Sequence, residues 1–233
     1  MNTINTQRHL DVFSNVAFGD RRIDVIGAGA TGSRIAVSLA KLGVNNIHVW
    51  DFDKVEAHNI ANQAYAICDI GRFKVDALHD LVRAQTGLTL NVHNEKVDGT
   101  QILGDVVFLL TDTMSSRRLI WDNSIRFKMR TKLMIETRMG ADQGRCYTVC
   151  PIRPSHVKGW EETLYNDDNG QLSACNSPIS VGPTAEYLAG LAVWQLIRWF
   201  AIENAADQTT GDSLDHEIVF GLRPFFHGTR SFD

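Results

Sequence analysis

The run RIDVIGAGATGSRIAVSLAKL, residues 22–42, restricts the folds open to this chain more than any other feature. Residues 22–27 are largely apolar and β-branched and end in glycine, which reads as a strand. Residues 31–42 carry apolar side chains at helical spacing, and Gly43 stops the helix. Gly27, Gly29 and Gly32 match G-x-G-x-x-G in the context that gives the pattern meaning, with a strand before and a helix after. Such glycines permit a tight turn and a close backbone approach to phosphate. The helix start adds N–H donors and the positive end of a dipole.

The same rhythm continues. NIHVWD reads as a second strand ending in Asp51, and residues 71–86 as a helix. LTLNVHNEKV alternates like a strand, and GDVVFLLTD is a buried strand ending in Asp112. Residues 115–129 read as a helix and KLMIET as a further strand. Strands alternating with helices predict an α/β fold, a Rossmann-like, doubly wound, mostly parallel sheet. Ligands of such sheets bind at the carboxyl ends of the strands, which puts Gly27, Asp51, Asp112 and Arg138 on one rim.

After residue 140 the pattern changes. QGRCYTVCP has no crossover helix before it, so it reads as antiparallel; residues 151–174 read as a long surface loop. A long helix over about 178–203, a last strand DHEIVFGL and a loose tail complete the chain. The expected organisation is one domain over 1–233, with a nucleotide-binding core at about 20–140 and a crossover loop and C-terminal part at about 141–233. A length of 233 residues with 44% hydrophobic content suits this.

Composition also excludes some functions. Lys and Arg total 23 against 27 Asp and Glu, a net charge of −4, which argues against a chain that coats nucleic acid. YLAGLAVWQLIRWFAI is interrupted by Gln195 and Arg198, too short and polar for a membrane span. The polar N-terminus has no apolar secretory core, so the protein reads as cytoplasmic. Cys68, Cys146, Cys150 and Cys175 form no C-x-x-C pair, so no structural zinc is expected; Cys146 and Cys150 read as strand core.

The glycine turn and Asp51, placed for a ribose hydroxyl, would serve a nicotinamide cofactor equally well. The residues that follow separate the two cases. Asp53, Asn59 and Gln63 come next, and Lys74 sits in the first turn of a helix, where a cation opposes the dipole unless an anion lies nearby. Extra carboxylates would repel a dinucleotide's phosphates. A nucleoside triphosphate with Mg²⁺ uses such a mixture: a cation for phosphate, a carboxylate for metal and amides between.

The pieces GAGATGS, DFDKVEAHNIANQ, GRFKVDAL and TDTMSSRR together resemble the ThiF/MoeB family of ubiquitin-activating-enzyme-like adenylating enzymes. MGADQGRCYTVCP and CNSPISVGPTAEYLAGLAVWQLIRW resemble its later segments, so the likeness spans about residues 8–203. It implies ATP- and Mg²⁺-dependent adenylation of the C-terminal carboxylate of a small ubiquitin-like or sulfur-carrier protein ending in glycine. It places Asp51 on ribose, Asn59 and Lys74 on phosphates, and Asp112 on Mg²⁺. A minimal homodimer of bacterial or phage type is implied, with Arg8 lent across the interface. Some members carry an acyl-accepting cysteine where Cys175 stands; a small apolar residue at a loop–helix joint is the other reading.

One departure stands out. The family's N-x-x-R-Q has Asn62 in place of its arginine, so Arg72, Arg117 or Arg118 would have to supply that contact. An NAD-dependent oxidoreductase and a non-catalytic scaffold with a decayed site are the alternatives.

Overall fold

The structure is a computed structural model that describes residues 4–167, 179–204 and 214–233. Eight strands form one sheet: β1 (Ile23–Ile26), β2 (Ile47–Trp50), β3 (Asn91–His93), β4 (Val106–Leu109), β5 (Leu133–Met139), β6 (Gln143–Val149), β7 (Glu217–Leu222) and β8 (Phe225–Arg230). The helices are α1 (Asn15–Phe18), α2 (Ala30–Lys41), α3 (Lys74–Thr86), α4 (Met114–Ile120), α5 (Pro154–Glu161) and α6 (Gly182–Asn204).

The sheet order is β3-β2-β1-β4-β5-β6-β7-β8. The pairs from β3 through β5 are parallel, and those from β5 to β8 antiparallel. The expected mostly parallel α/β sheet with an antiparallel extension is therefore present. Because β2 and β4 flank β1 on opposite sides, the crossing direction reverses there, leaving a crevice at the carboxyl ends of β1 and β4.

Every side chain of β1 and β4 is buried, as a strand covered on both faces requires. Successive residues feed two cores. Val25, Val49, Phe108 and Ile135 face the α2, α3 and α6 side; Ile26, Trp50, Leu109 and Met134 join Trp121, Tyr147 and Trp160 on the other. Helix α2 buries Ile35, Ala36, Leu39 and Ala40 and packs against α6. No helix among the described residues is long and apolar enough to cross a membrane.

Three expectations need correction. Residues 154–161 are not loop: Pro154 occupies the first turn of α5, where its missing N–H costs nothing, and Val157 and Trp160 are buried. The tail is not loose, since residues 225–230 form β8. The helix beginning at Met114 is α-helical only to Ile120, then widens into a π-turn over Trp121–Ile125.

Beyond β8 the tail closes a small polar cluster of His156, His216 and Asp233, whose ligand-type atoms lie within 4.8 Å of one another. The Nδ1 of His156 accepts the Cys150 N–H at 3.1 Å, and the Nδ1 of His216 accepts the Phe232 N–H at 3.0 Å. Neutral rings so held carry their proton on Nε2, the atom facing Asp233. Through these bonds the three side chains tie the tail to α5 and to the start of β7. Burial pushes both imidazoles below their usual range, His216 down to about 4. A depressed folded pKa means that the unfolded chain takes up protons first. The stability these rings contribute is full above about pH 6.5 and is lost as pH falls toward 4. Denaturant titrations at pH 7 and 4.5 should show His216→Asn losing less stability than wild type over this interval, by on the order of 2 kcal/mol. Parallel pH profiles would contradict this.

Candidate functional site

A cleft of about 220 Å³ opens at the β1/β4 crevice. Its wall includes Gly27 and Gly29 from the β1–α2 turn, Asp51, Phe52 and Asp53 after β2, and Lys74 at the start of α3. Glu95 and Lys96 after β3 and Thr111, Asp112 and Thr113 after β4 also line it.

Steric contacts within the fold explain two of the glycines. Gly27 has φ +101°, and a Cβ there would lie 2.9 Å from the Leu110 carbonyl oxygen. A Cβ on Gly32 would sit 1.9 Å from the Gly27 oxygen, so only glycine lets α2 approach β1 this closely. Gly29 differs. It lines the cleft at φ −76°, and a Cβ there would meet nothing within 4 Å. No atom of the described residues accounts for the missing side chain at this position; the space faces the cleft.

The acidic groups are held in distinct ways. Asp51 is buried and accepts the Ala28 N–H at 2.7 Å and the Asp53 N–H at 2.8 Å, tying the glycine turn to the end of β2. Burial raises its pKa, and the nearby Lys74 charge and these two N–H groups oppose the rise. Lys74 is also buried, and its ammonium meets Asp53 Oδ2 at 2.9 Å. The anion expected beside a lysine at a helix start is thus Asp53. Asp112 is exposed at the mouth, and its carboxylate makes no hydrogen bond or ion pair with the described residues. The N-cap of α4 is Thr113 rather than Asp112, so a capping role does not account for Asp112. The lining carries four carboxylates (Asp51, Asp53, Glu95, Asp112) and two lysines (Lys74, Lys96). With all six ionised the cleft is negative, and a polyphosphate would enter it only with a cation.

Of the residues singled out from sequence, Gly27, Gly29, Asp51, Asp53, Lys74 and Asp112 converge here, with Gly32 packed beneath the turn. Asn59 is buried in the short helical turn Ala57–Asn59, where its Oδ1 accepts the Glu56 N–H at 2.9 Å; it does not line the cleft. Gln63 lines a separate groove between α2, α3 and α6. Arg8 is exposed in the turn Gln7–His9, outside the cleft lining. Cys175 lies outside the described residues.

Arg138 does not join the rim. It turns inward and pairs with Glu136 at 2.9 Å, and it donates to the Thr163 carbonyl at 2.7 Å. None of the arginines considered as substitutes at Asn62 lines the cleft. Arg72 pairs with Asp69 and Asp80, Arg117 is buried against Glu136, and Arg118 is exposed. The guanidinium beside Asn62 is that of Arg34, which donates to the Asn62 carbonyl at 2.6 Å and pairs with Glu186.

Sequence reading missed Glu95 and Lys96. They come two and three residues after β3 ends, and the rim rule would have found them had β3 been bounded correctly. It also missed Asp167, whose carboxylate accepts the Met114 and Ser115 N–H groups at 2.5 and 3.2 Å and so holds residue 167 against the start of α4.

Comparisons with known proteins bear on the family and the fold. The model of the ThiF family matches residues 16–219. The adenylyltransferase and sulfurtransferase MOCS3 of Caenorhabditis briggsae is 32% identical over 105 residues, covering 42% of this chain and 26% of that protein. The probable adenylyltransferase/sulfurtransferase MoeZ of Mycobacterium tuberculosis is 29% identical over 45% of this chain and 28% of its own length. The matches thus span about a quarter of these curated relatives. Among solved structures, PaaA superposes with TM-score 0.71 at 18% identity, covering 94% of this chain and 66% of PaaA. E. coli MccB, crystallised with AMPCPP and MccA, gives 0.68 at 14% identity, covering 94% of this chain and 65% of MccB; at such identities the likeness is one of fold.

Proposed function

The chain belongs to the ThiF family, and on that premise we propose that it is an ATP-dependent adenylating enzyme. Its substrate is the C-terminal carboxylate of a small ubiquitin-like or sulfur-carrier protein. The observation that carries this reading is the cleft itself, where four carboxylates and two lysines surround a glycine turn at the sheet's switch point. A nicotinamide cofactor has no use for so much negative charge. The names of MOCS3, MoeZ and ubiquitin-like modifier-activating enzyme 5, the last 33% identical over 76 residues, support the reaction class.

In this reading the phosphates lie against the turn at Gly27 and Gly29, and Asp51 accepts from ribose hydroxyls. Lys74 exchanges its pairing with Asp53 for the phosphates. A substrate carboxylate oxygen bonds to the α-phosphorus, the bond to the bridging oxygen breaks, and pyrophosphate leaves with that electron pair. The attacking group is already ionised, so no proton moves and no general base is required. Lys74 stabilises the charge gathering on the leaving group. Asp112 would hold Mg²⁺ with the nucleotide; bound there, the ion would supply further charge neutralisation. Asn59 and Gln63 stand outside the lining, so phosphate contact falls to the glycine turn and to the cleft's lysines, Lys74 first. A homodimer with Arg8 acting across its interface, acyl transfer to Cys175 and a cytoplasmic setting complete the proposal.

ATP–pyrophosphate exchange tests it, with purified small proteins ending in glycine as co-substrates. Exchange that depends on one of them is the expected result. ATP binding without exchange for any of them would favour the scaffold reading, to which the lack of a cleft-lining arginine among the described residues lends weight.

A further inference from the structure

A second groove, of about 450 Å³, lies at the opposite end of the sheet, before β4 and β5 begin. It runs between residues 99–103 and 123–131. Its lining includes the polar residues Thr100, Gln101, Asn123 and Ser124, of which Ser124 is buried. Its rim holds three large apolar side chains turned to solvent: Ile102 is 73% exposed, Met129 69% and Phe127 52%.

Two further observations set this groove apart. Phe127 has φ +55°, the only non-glycine positive φ among the described residues. A bulky residue in that region is strained by about 1–3 kcal/mol. The strained backbone is held by its N–H donating to the Pro151 carbonyl at 3.0 Å, and Arg126 covers the ring at 5.1 Å. These contacts hold the segment with its aromatic ring at the rim, against the cost of the strain.

The second observation is charge. Residues 126–132 read RFKMRTK, four cations in seven residues of a chain with net charge −4. Arg126 is paired with Glu161. Lys128, Arg130 and Lys132 make no ion pair with the described residues, and all three are exposed. Elsewhere Arg22, Arg34, Arg72, Lys74, Arg138 and Arg145 each meet a carboxylate, and the cations that make no ion pair with the described residues, such as Lys41, Lys54, Arg83, Lys96 and Arg118, are spread along the chain rather than clustered. Asp98, the acid beside the groove, is bound to Thr100 of the same turn at 2.7 Å.

We propose that this groove binds an extended acidic segment of a partner protein, with a bulky apolar side chain between its carboxylates. The apolar side chain would pack on Ile102, Phe127 and Met129, and the carboxylates would meet Lys128, Arg130 and Lys132. A concave groove lined by both polar and apolar side chains suits a peptide better than a flat bilayer. Nucleic acid would use the cations but leave the three apolar side chains without a partner. The site faces away from the cleft, so docking there leaves the nucleotide's approach open.

Fluorescence anisotropy on the full chain would test this, with a fluorescein-labelled peptide DELFEDE as probe and its neutral counterpart NQLFQNQ as control. The acidic peptide should bind in a salt-dependent way and the neutral one should not. The paired change Lys128→Glu and Arg130→Glu should weaken binding about tenfold or more, while Lys41→Glu on α2 leaves it unchanged. Phe127→Gly should weaken binding while leaving the melting temperature equal or higher, because glycine tolerates the positive φ. Equal affinity for both peptides, or indifference to the charge reversal, would overturn the proposal. So would sedimentation with phosphatidylserine vesicles, lost on charge reversal, in a chain that ignores the peptide.

Discussion

Asp112→Ala should lower ATP–pyrophosphate exchange at least about a hundredfold while leaving the melting temperature within a degree or two of wild type. The cleft's other carboxylates are committed or peripheral. Asp51 is bound to two backbone N–H groups, Asp53 is paired with Lys74, and Glu95 follows the short edge strand β3. Asp112 alone combines exposure at the mouth with a place directly beyond β4, across the switch point from the glycine turn. Its removal costs no internal contact, so folding should not suffer. If Asp112 holds the metal, raising Mg²⁺ should recover part of the lost rate in Asp112→Asn. Exchange within threefold of wild type would remove Asp112 from the proposed chemistry.

Glu136→Gln should destabilise the fold by about 3–5 kcal/mol, read as a shift of the urea midpoint at unchanged slope. Glu136 has no solvent exposure and lies between Arg117 and Arg138, both buried. It also accepts the Trp160 indole N–H at 3.0 Å. Burial already pushes the Arg117 guanidinium down to about 10, with the neighbouring Arg138 charge adding to the effect. At neutral pH both arginines stay charged, so removing the carboxylate's charge leaves two like charges in a medium that solvates them poorly. The loss should extend to function. Arg117 donates to the Thr111 carbonyl on the cleft wall, and Arg138 holds Thr163 at the approach to Asp167. A loss below about 1 kcal/mol would mean that the network contributes little to stability.

The parallel half of the fold was legible because its information is local. The β1–α2 turn, the acid after β2 and the lysine opening α3 lie within about fifty residues of sequence, each beside an element with a clear period. Helix α5 was hidden by Pro154 and Gly159. That glycine is needed because a Cβ would come within 2.5 Å of Phe232, a contact from the far end of the chain. Strand β8 was hidden for a different reason: all six of its residues are exposed, so alternation had no burial pattern to reveal it. Arg138 was placed on the rim by position, but in a strand the side chain's face decides. The register that pairs Arg138 with Arg145 of β6 turns it toward Glu136 and Thr163.

Sequence alone determined the parallel core, its glycine turn and the acids at its strand ends, because periodicity and turn sterics act over a few residues. Only the tertiary structure decided which charges meet. Asp53 neutralises Lys74, Glu136 draws Arg117 and Arg138 inward, and Arg34 takes the place beside Asn62. Lys128, Arg130 and Lys132 are left facing solvent at the other end of the sheet. Those pairings depend on distances of a few ångströms between groups remote in sequence, and on how much water packing leaves around them.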